Sequence, residues 1–289
     1  TSLDIKSPSP ETYLSINGYN YDEPGGISFP PTDGFRYRAG ALVNKRLWVA
    51  NVKYYDENGT TKTMGDRLFY TPPNRFDTFP PSFFIDIGMN DGENFTALAG
   101  FGNKLFCFKQ HNLYIVNVAG ALDSDWGLEG NFKGMGVNNQ REIVTTDVGL
   151  AWVNDSGVYF WGGEGAPKDL SGGKLLPTDL DLEDPTIGYD FINKQIVIVT
   201  DVNNSDQPAL SYDMRTQSWQ KWTSFTVTGC TNLVTLPGSN SSLVFIDGDN
   251  ELKKYDATIG QSSEAGDSVF KTKKDDLGSP VYKKQLYNL

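Results

Sequence analysis

Four successive apolar residues, Leu105 to Phe108, constrain this chain more than any other stretch. A strand with one wet face alternates apolar and polar side chains, so a continuous run predicts a strand buried on both faces. The surrounding segment, Thr96 to Val118, reads as three short antiparallel strands separated by a Gly-containing turn and a polar turn. A sheet this small cannot cover its own faces, and copies of the same pattern are the cover that the chain itself supplies. Such runs recur at Leu47 to Ala50, Leu150 to Val153, Ile196 to Val199 and Leu243 to Ile246, each closed by a polar residue or a turn. From Leu105 the following starts come about 45 residues apart, and a related beat is kept by the next strands at Tyr70, Leu113, Val158, Leu210 and Leu252. The period predicts an all-β fold, a β-propeller of about five blades, or six if the terminal segments build a sheet of their own. No stretch shows helical periodicity with caps at both ends, so almost no helix is expected.

The domain boundaries follow from where the pattern starts and stops. Residues 1–35, rich in Pro, Gly, Ser and Tyr, hold one strand candidate, Tyr13 to Ile16, and read as an N-terminal arm or a strand lent to another sheet. The propeller spans 36–270, and 271–289 form an exit strand or tail. The first repeat, Arg36 to Ile87, is lengthened by a polar insertion, Lys53 to Asp66, with a hairpin tip at Asn58-Gly59. Its end, Thr71 to Ser82, carries four prolines, cannot pair as a central strand and is expected to wrap across a surface. The second repeat runs from Phe95 to Val137. The third runs from Arg141 to Leu176, with a Gly-rich closing loop from Gly162 to Lys174. No run of about 18 apolar residues exists, so no membrane span is expected, and the first residues lack the basic start and apolar core of a signal peptide.

The search for chemistry narrows quickly. The single His, His111, falls in a polar turn and is expected to be exposed rather than catalytic. Cys107 and Cys230 lie in repeats that a five-bladed ring does not make neighbours, so two buried thiols are expected rather than a disulfide, as suits a reducing cytoplasm. With one His and two separated Cys, the usual zinc sites and His-dependent triads are out of reach, and no phosphate-binding glycine loop is present. The acidic segments Asp179 to Pro185 and Asp247 to Glu251 could serve a hard cation, but their spacing fits a solvated connector and a hairpin turn better. No catalytic, cofactor-binding or metal-binding residue is therefore assigned, no cofactor is expected, and the protein is expected not to be an enzyme. A formal charge of −11 argues against a surface that grips nucleic acid sequence-specifically, though a surface of the same sign as DNA suits a conduit through which DNA slides.

The fourth repeat holds the sharpest local motif, Tyr212-Asp213 followed by Thr216 and Trp219, which resembles the outer hairpin of kelch-type blades. The Asp accepts backbone hydrogen bonds in the turn while Tyr and Trp pack on the flanking strands. Tyr255-Asp256 and Thr258 repeat it in the fifth without a Trp, and Ser211, Asp213 and Trp219 brush against the sialidase aspartate box, with Arg215 where that box has Gly. A broader resemblance is carried by Arg67 to Pro80, Ile85 to Gly88, Thr96 to Leu98 and Asn103 to Gln110, with an echo at Lys271 to Pro280 and Lys283-Lys284. These segments look like the propeller-containing tail and head-to-tail proteins of double-stranded DNA bacteriophages. The resemblance implies a non-enzymatic virion protein of the tail, assembled in the host cytoplasm. It would be a nozzle, tubular or ring component that forms a cyclic homo-oligomer and contacts other tail or portal-adaptor proteins. A carbohydrate-binding or glycoside-cleaving propeller is the competing class, and a kelch-like adaptor the third. A sugar site needs Trp or Tyr with carboxylates at one mouth of the channel, whereas a ring component needs broad surfaces for its neighbours.

Overall fold

The computed structural model describes residues 14–15, 36–55, 61–76, 79–80, 82–175, 182–203, 209–222, 232–236, 241–246 and 251–255. Among these residues the regular structure is strand, arranged in five antiparallel sheets, with two short 3-10 turns. The first sheet has the order β1 (Leu14–Ser15), β2 (Arg36–Val43), β3 (Arg46–Tyr55), β4 (Thr61–Tyr70) and β5 (Phe84–Asp86). The second is β6 (Phe95–Phe101), β7 (Lys104–Lys109), β8 (Asn112–Asn117) and β9 (Gly127–Lys133). The third is β10 (Ile143–Thr145), β11 (Leu150–Asn154), β12 (Gly157–Trp161) and β13 (Lys168–Asp169). The fourth is β14 (Thr186–Asp190), β15 (Gln195–Val199), β16 (Ala209–Asp213) and β17 (Ser218–Trp222), and the fifth is β18 (Leu233–Thr235), β19 (Leu243–Ile246) and β20 (Leu252–Lys254). Each sheet is a meander, and the chain is a β-propeller whose sheets are its blades.

Every apolar run singled out in the sequence is the inner middle strand of its blade: β3, β7, β11, β15 and β19. The alternation explains why both faces are apolar. On β7, Leu105 and Cys107 enter the core between the first and second blades with Trp48, Leu68 and Leu98. The intervening Phe106 and Phe108 enter the next core with Trp152 and Trp161. On β11, Leu150 and Trp152 belong to that second core, while Ala151 and Val153 reach the third with Tyr189, Ile196 and Ile198. Each large side chain so buried contributes about 1.5–3 kcal/mol, so one strand stabilises two seams at once. The fifth blade departs from the rule, because Ile246 at the end of β19 is exposed.

The first strands of successive blades run in the same direction. Thr186 at the start of β14 donates its hydroxyl to the Arg141 carbonyl just before β10, and Thr235 at the end of β18 donates to the Tyr189 carbonyl near the end of β14. One face of the propeller therefore carries the turns that follow the middle strands and the crossings to the next blade. The other carries the turns that follow the first strands.

Residues 71–82 make no strand among those described, as four prolines require, and Phe79 from this wrap is buried on Val49, Val52 and Phe69. The Gly-rich loop closing the third repeat is not loop throughout: Lys168 and Asp169 pair with Phe160 and Tyr159 and make the blade's outer strand. At the N-terminus, Leu14 and Ser15 pair with Tyr37 and Arg36, so a strand from that segment is indeed lent to the first sheet. The rest of the 1–35 arm, the hairpin tip at Asn58-Gly59, residues 247–250 of the acidic segment, the propeller boundary at 270 and the 271–289 tail lie outside the described residues, as does Cys230. Among the described residues no helix is long and apolar enough to cross a membrane.

Candidate functional site

The residue that ends or follows each middle run occupies an equivalent place, and it is polar and buried in four blades: Asn51, Lys109, Asn154 and Thr200. In the first three blades this side chain finds partners on the chain crossing between blades, although the Oδ1 of Asn51 is buried without one. Asn51 donates its amide to the Phe95 carbonyl at 2.8 Å. Asn154 donates to the carbonyls of Gly134 and Gly136 at 3.0 and 2.9 Å, while its Oδ1 accepts the N–H groups of Ser156 and Gly157.

Lys109 does the same with a charge. Its side chain is 0% exposed, and Nζ donates to Asp66 Oδ1 at 2.6 Å, to both carboxylate oxygens of Asp91 at 2.8 Å and to the Gly88 carbonyl at 2.9 Å. The rings of Phe95 and Tyr114 flank the ammonium at 5.1 and 5.8 Å. Asp91 is held in turn by the Tyr114 hydroxyl at 3.0 Å and by the Glu93 N–H. Burial raises the Asp91 pKa, but the bonds from Lys109, Glu93 and Tyr114 outweigh it and hold the carboxyl below its usual range. The Tyr114 hydroxyl, buried and donating to that carboxylate, is pushed up to about 12. Gly88 has φ 65°, and a side chain there would meet the Tyr114 hydroxyl at 2.6 Å, so the loop closes over Lys109 only as glycine. Gly136 is required for a parallel reason: its missing Cβ would sit 2.3 Å from the Lys109 carbonyl.

His111 stands two residues on, in the turn between β7 and β8, and its side chain is 66% exposed. Its Nδ1 meets Glu93 Oε1 at 2.5 Å, so the expectation of an exposed turn residue holds and the ring is part of the rim around Lys109. Cys107 is a free, buried thiol, and burial pushes its pKa up, which removes it as a nucleophile. The outer hairpin of the fourth blade matches its sequence reading: Asp213 Oδ1 accepts from Arg215 and Thr216, and Tyr212 faces Trp219 with ring centroids 5.0 Å apart. In the acidic connector, Asp184 pairs with Arg141 and accepts from Asn203, so its oxygens are committed to the fold.

On the opposite face, Arg46 is buried between blades one and two, donating to the Thr71 and Ala121 carbonyls and lying over the rings of Tyr70 and Trp126. A groove of about 190 Å³ between the second and third blades is lined by Lys104, Glu129, Phe132, Trp161 and Glu164. Lys104 and Glu129 pair across it, and Trp161 is almost wholly buried with its N–H on the Gly165 carbonyl. The other tryptophans with described side chains are framework as well. Trp48 and Trp152 are fully buried, and Trp126 and Trp219 donate to the carbonyls of Gly120 and Leu170.

The last feature is a surface. On the fifth blade, Leu233, Leu243 and Phe245 share the face toward Gly188 of the fourth blade, while Val234, Ile246 and Leu252 share the other. That other face is partly covered, since Val244 on it is 7% exposed, but Val234 is 46% exposed, Ile246 45% and Leu252 67%.

No family model and no curated protein sequence matches the chain. Among solved structures it is similar to the extracellular domain of a hybrid two component system of B. thetaiotaomicron, at 15% identity and TM-score 0.50, covering 85% of this chain and 30% of that one. A second structure of an extracellular domain, described as of a one component system of the same organism, gives 14% identity and TM-score 0.51 over 86% of this chain and 30% of that one. YCF48 bound to D1 peptide gives 11% identity and TM-score 0.44 over 83% and 73%. The chain thus spans under a third of the length of the first two. At these identities the likeness concerns fold alone.

Proposed function

We propose that the chain is a non-enzymatic structural protein of a bacteriophage tail, a component of a ring-like assembly around the path of DNA. The resemblance of the Arg67 to Pro80 and Asn103 to Gln110 segments supplies the class. The observation that favours an assembly role over sugar binding is the partly exposed apolar face of the fifth blade. Three large apolar side chains on one sheet face, Val234, Ile246 and Leu252, are a surface for a neighbour. The described tryptophans, in contrast, are spent on the framework and offer no stacking platform beside carboxylates at the channel mouth. The occupant of the face is a second copy of this chain, in a head-to-tail ring that closes by rotation. The net charge of −11 suits a conduit wall that repels DNA rather than holding it.

The test is the mass of the purified protein in solution together with electron microscopy of the particles it forms. A cyclic oligomer that Leu252→Glu dissociates into folded monomers supports the proposal. A wild-type monomer at all concentrations, or release of reducing sugar from bacterial capsule or peptidoglycan, overturns it in favour of the carbohydrate-active class.

A further inference from the structure

We propose that Lys109 and Asp66 condense spontaneously into an intramolecular isopeptide bond, with Asp91 as the proton carrier, so that the first two blades are joined covalently. The three groups that such a reaction needs are already in contact. Lys109 Nζ lies 2.6 Å from one oxygen of Asp66 and 2.8 Å from both oxygens of Asp91, in a site where the lysine side chain has no exposure to water. Asp66 and Asp91 have different stations. Asp91 is gripped through both oxygens and oriented further by the Tyr114 hydroxyl and the Glu93 N–H, which fixes it beside the lysine nitrogen. Asp66 offers one oxygen to the ammonium and keeps its side chain 34% exposed, which leaves an exit for the water produced.

The step balances without any other reactant. Asp91 takes a proton from the Lys109 ammonium, and the freed amine attacks the carboxyl carbon of Asp66, forming the C–N bond. Protons from the nitrogen pass through Asp91 to one carboxyl oxygen of Asp66, the C–O bond breaks, and that oxygen departs as water. Two hydrogens of the original ammonium leave in the water and one remains on the amide nitrogen; Asp91 ends as it began. Amide formation is slow and unfavourable between free groups in water, and both obstacles are lowered here. Fixing the reactants lowers the barrier, with effective molarities of about 10⁵–10⁸ M. The product also replaces a buried cation and its partner carboxylate by a neutral amide, and keeping an ion away from water is costly even when it is paired. The rings of Phe95 and Tyr114 exclude solvent from the nitrogen while the bond forms.

The experiment is the intact mass of the folded, full-length protein measured under denaturing conditions after prolonged incubation, followed by protease digestion. The expected result is a chain lighter by one water molecule, with a branched peptide joining the segments that contain Asp66 and Lys109. Lys109→Arg and Asp91→Asn should both restore the full mass. Asp91→Asn with unchanged circular dichroism separates proton transfer from folding. A wild-type chain of full mass that yields the two peptides separately overturns the proposal and leaves an ion pair in its place.

Discussion

Asn154 should prove to be one of the costliest polar residues in the protein to remove. It sits at the end of β11, nearly buried, and makes four hydrogen bonds: two donated to the Gly134 and Gly136 carbonyls on the crossing from the second blade, and two accepted from Ser156 and Gly157 in its own turn. Asn154→Ala deletes all four partners at once. At a net ~0.5–1.5 kcal/mol each the loss comes to about 2–6 kcal/mol, with the buried Gly136 carbonyl left unmatched moving it toward the upper end. The assay is urea unfolding followed by tryptophan fluorescence, read as a shift of midpoint at constant slope. Asn154→Asp refines it. The carboxylate keeps the turn acceptors but faces two carbonyl oxygens, so the folded state favours its protonated form and its pKa is raised above the unfolded value. Its damage should therefore be full above that raised pKa and shrink as pH falls through it, whereas that of Asn154→Ala stays constant. A loss below about 1 kcal/mol for Asn154→Ala would refute the idea that this position joins the blades.

Phe106→Ala empties a fully buried site packed edge-on against Trp161 at 5.1 Å and should cost about 3–5 kcal/mol by the same assay. Burial pushes the Glu142 carboxyl up to about 7, against the bonds from Asn138 and Asn139 that favour its charge. Its folded pKa lies above the unfolded value, so stability should rise as pH falls from about 7 to about 4.5, by on the order of 3 kcal/mol; Glu142→Gln should flatten that slope in a pH series of unfolding midpoints. His111→Ala, at an exposed ring with one carboxylate partner, should change stability by no more than about 1 kcal/mol and leave the elution volume in size-exclusion chromatography unchanged.

The middle strands were legible because burial on both faces leaves a local mark, an unbroken apolar run such as Leu105 to Phe108. The outer strands were harder. β9 (Gly127–Lys133) is largely exposed, and its sequence GLEGNFK carries neither alternation nor β-branched residues. β13 is two charged residues inside a Gly-rich stretch, and it exists because Phe160 and Tyr159 offer it an edge. The polar residue closing each run was visible too, but its meaning was not. Lys109 finds its partners 43 and 18 residues away, and only the stacking of one blade on the next brings Asp66 and Asp91 to it. The exposure on the fifth blade was hidden for the same reason: LVFI reads like the other four runs, and nothing local says that Ile246 is 45% exposed.

Asn at the Lys109 position is what the other blades suggest, and that comparison sharpens the meaning of the lysine. Asn51 and Asn154 show that a short amide at this position suffices to hold the crossing backbone. An uncharged side chain would also avoid the penalty of burying an ammonium, which paired groups only partly repay. The lysine therefore has to contribute something that an amide cannot. A covalent link between residues 43 apart in sequence would constrain the unfolded chain by about 4 kcal/mol, on the loop-closure reasoning used for disulfides. Lys109→Asn discriminates through its mass. If Lys109 is only a charged cap, the intact mass changes by the side-chain difference alone, while stability still falls by about 3–5 kcal/mol, because Asp66 and Asp91 lose their cation and an Asn two methylenes shorter does not reach the Gly88 carbonyl. If the link forms, the variant should fold with the same circular dichroism yet lose about 4 kcal/mol and regain one water molecule of mass, and it is this second outcome that the geometry at Asp66 and Asp91 leads us to expect.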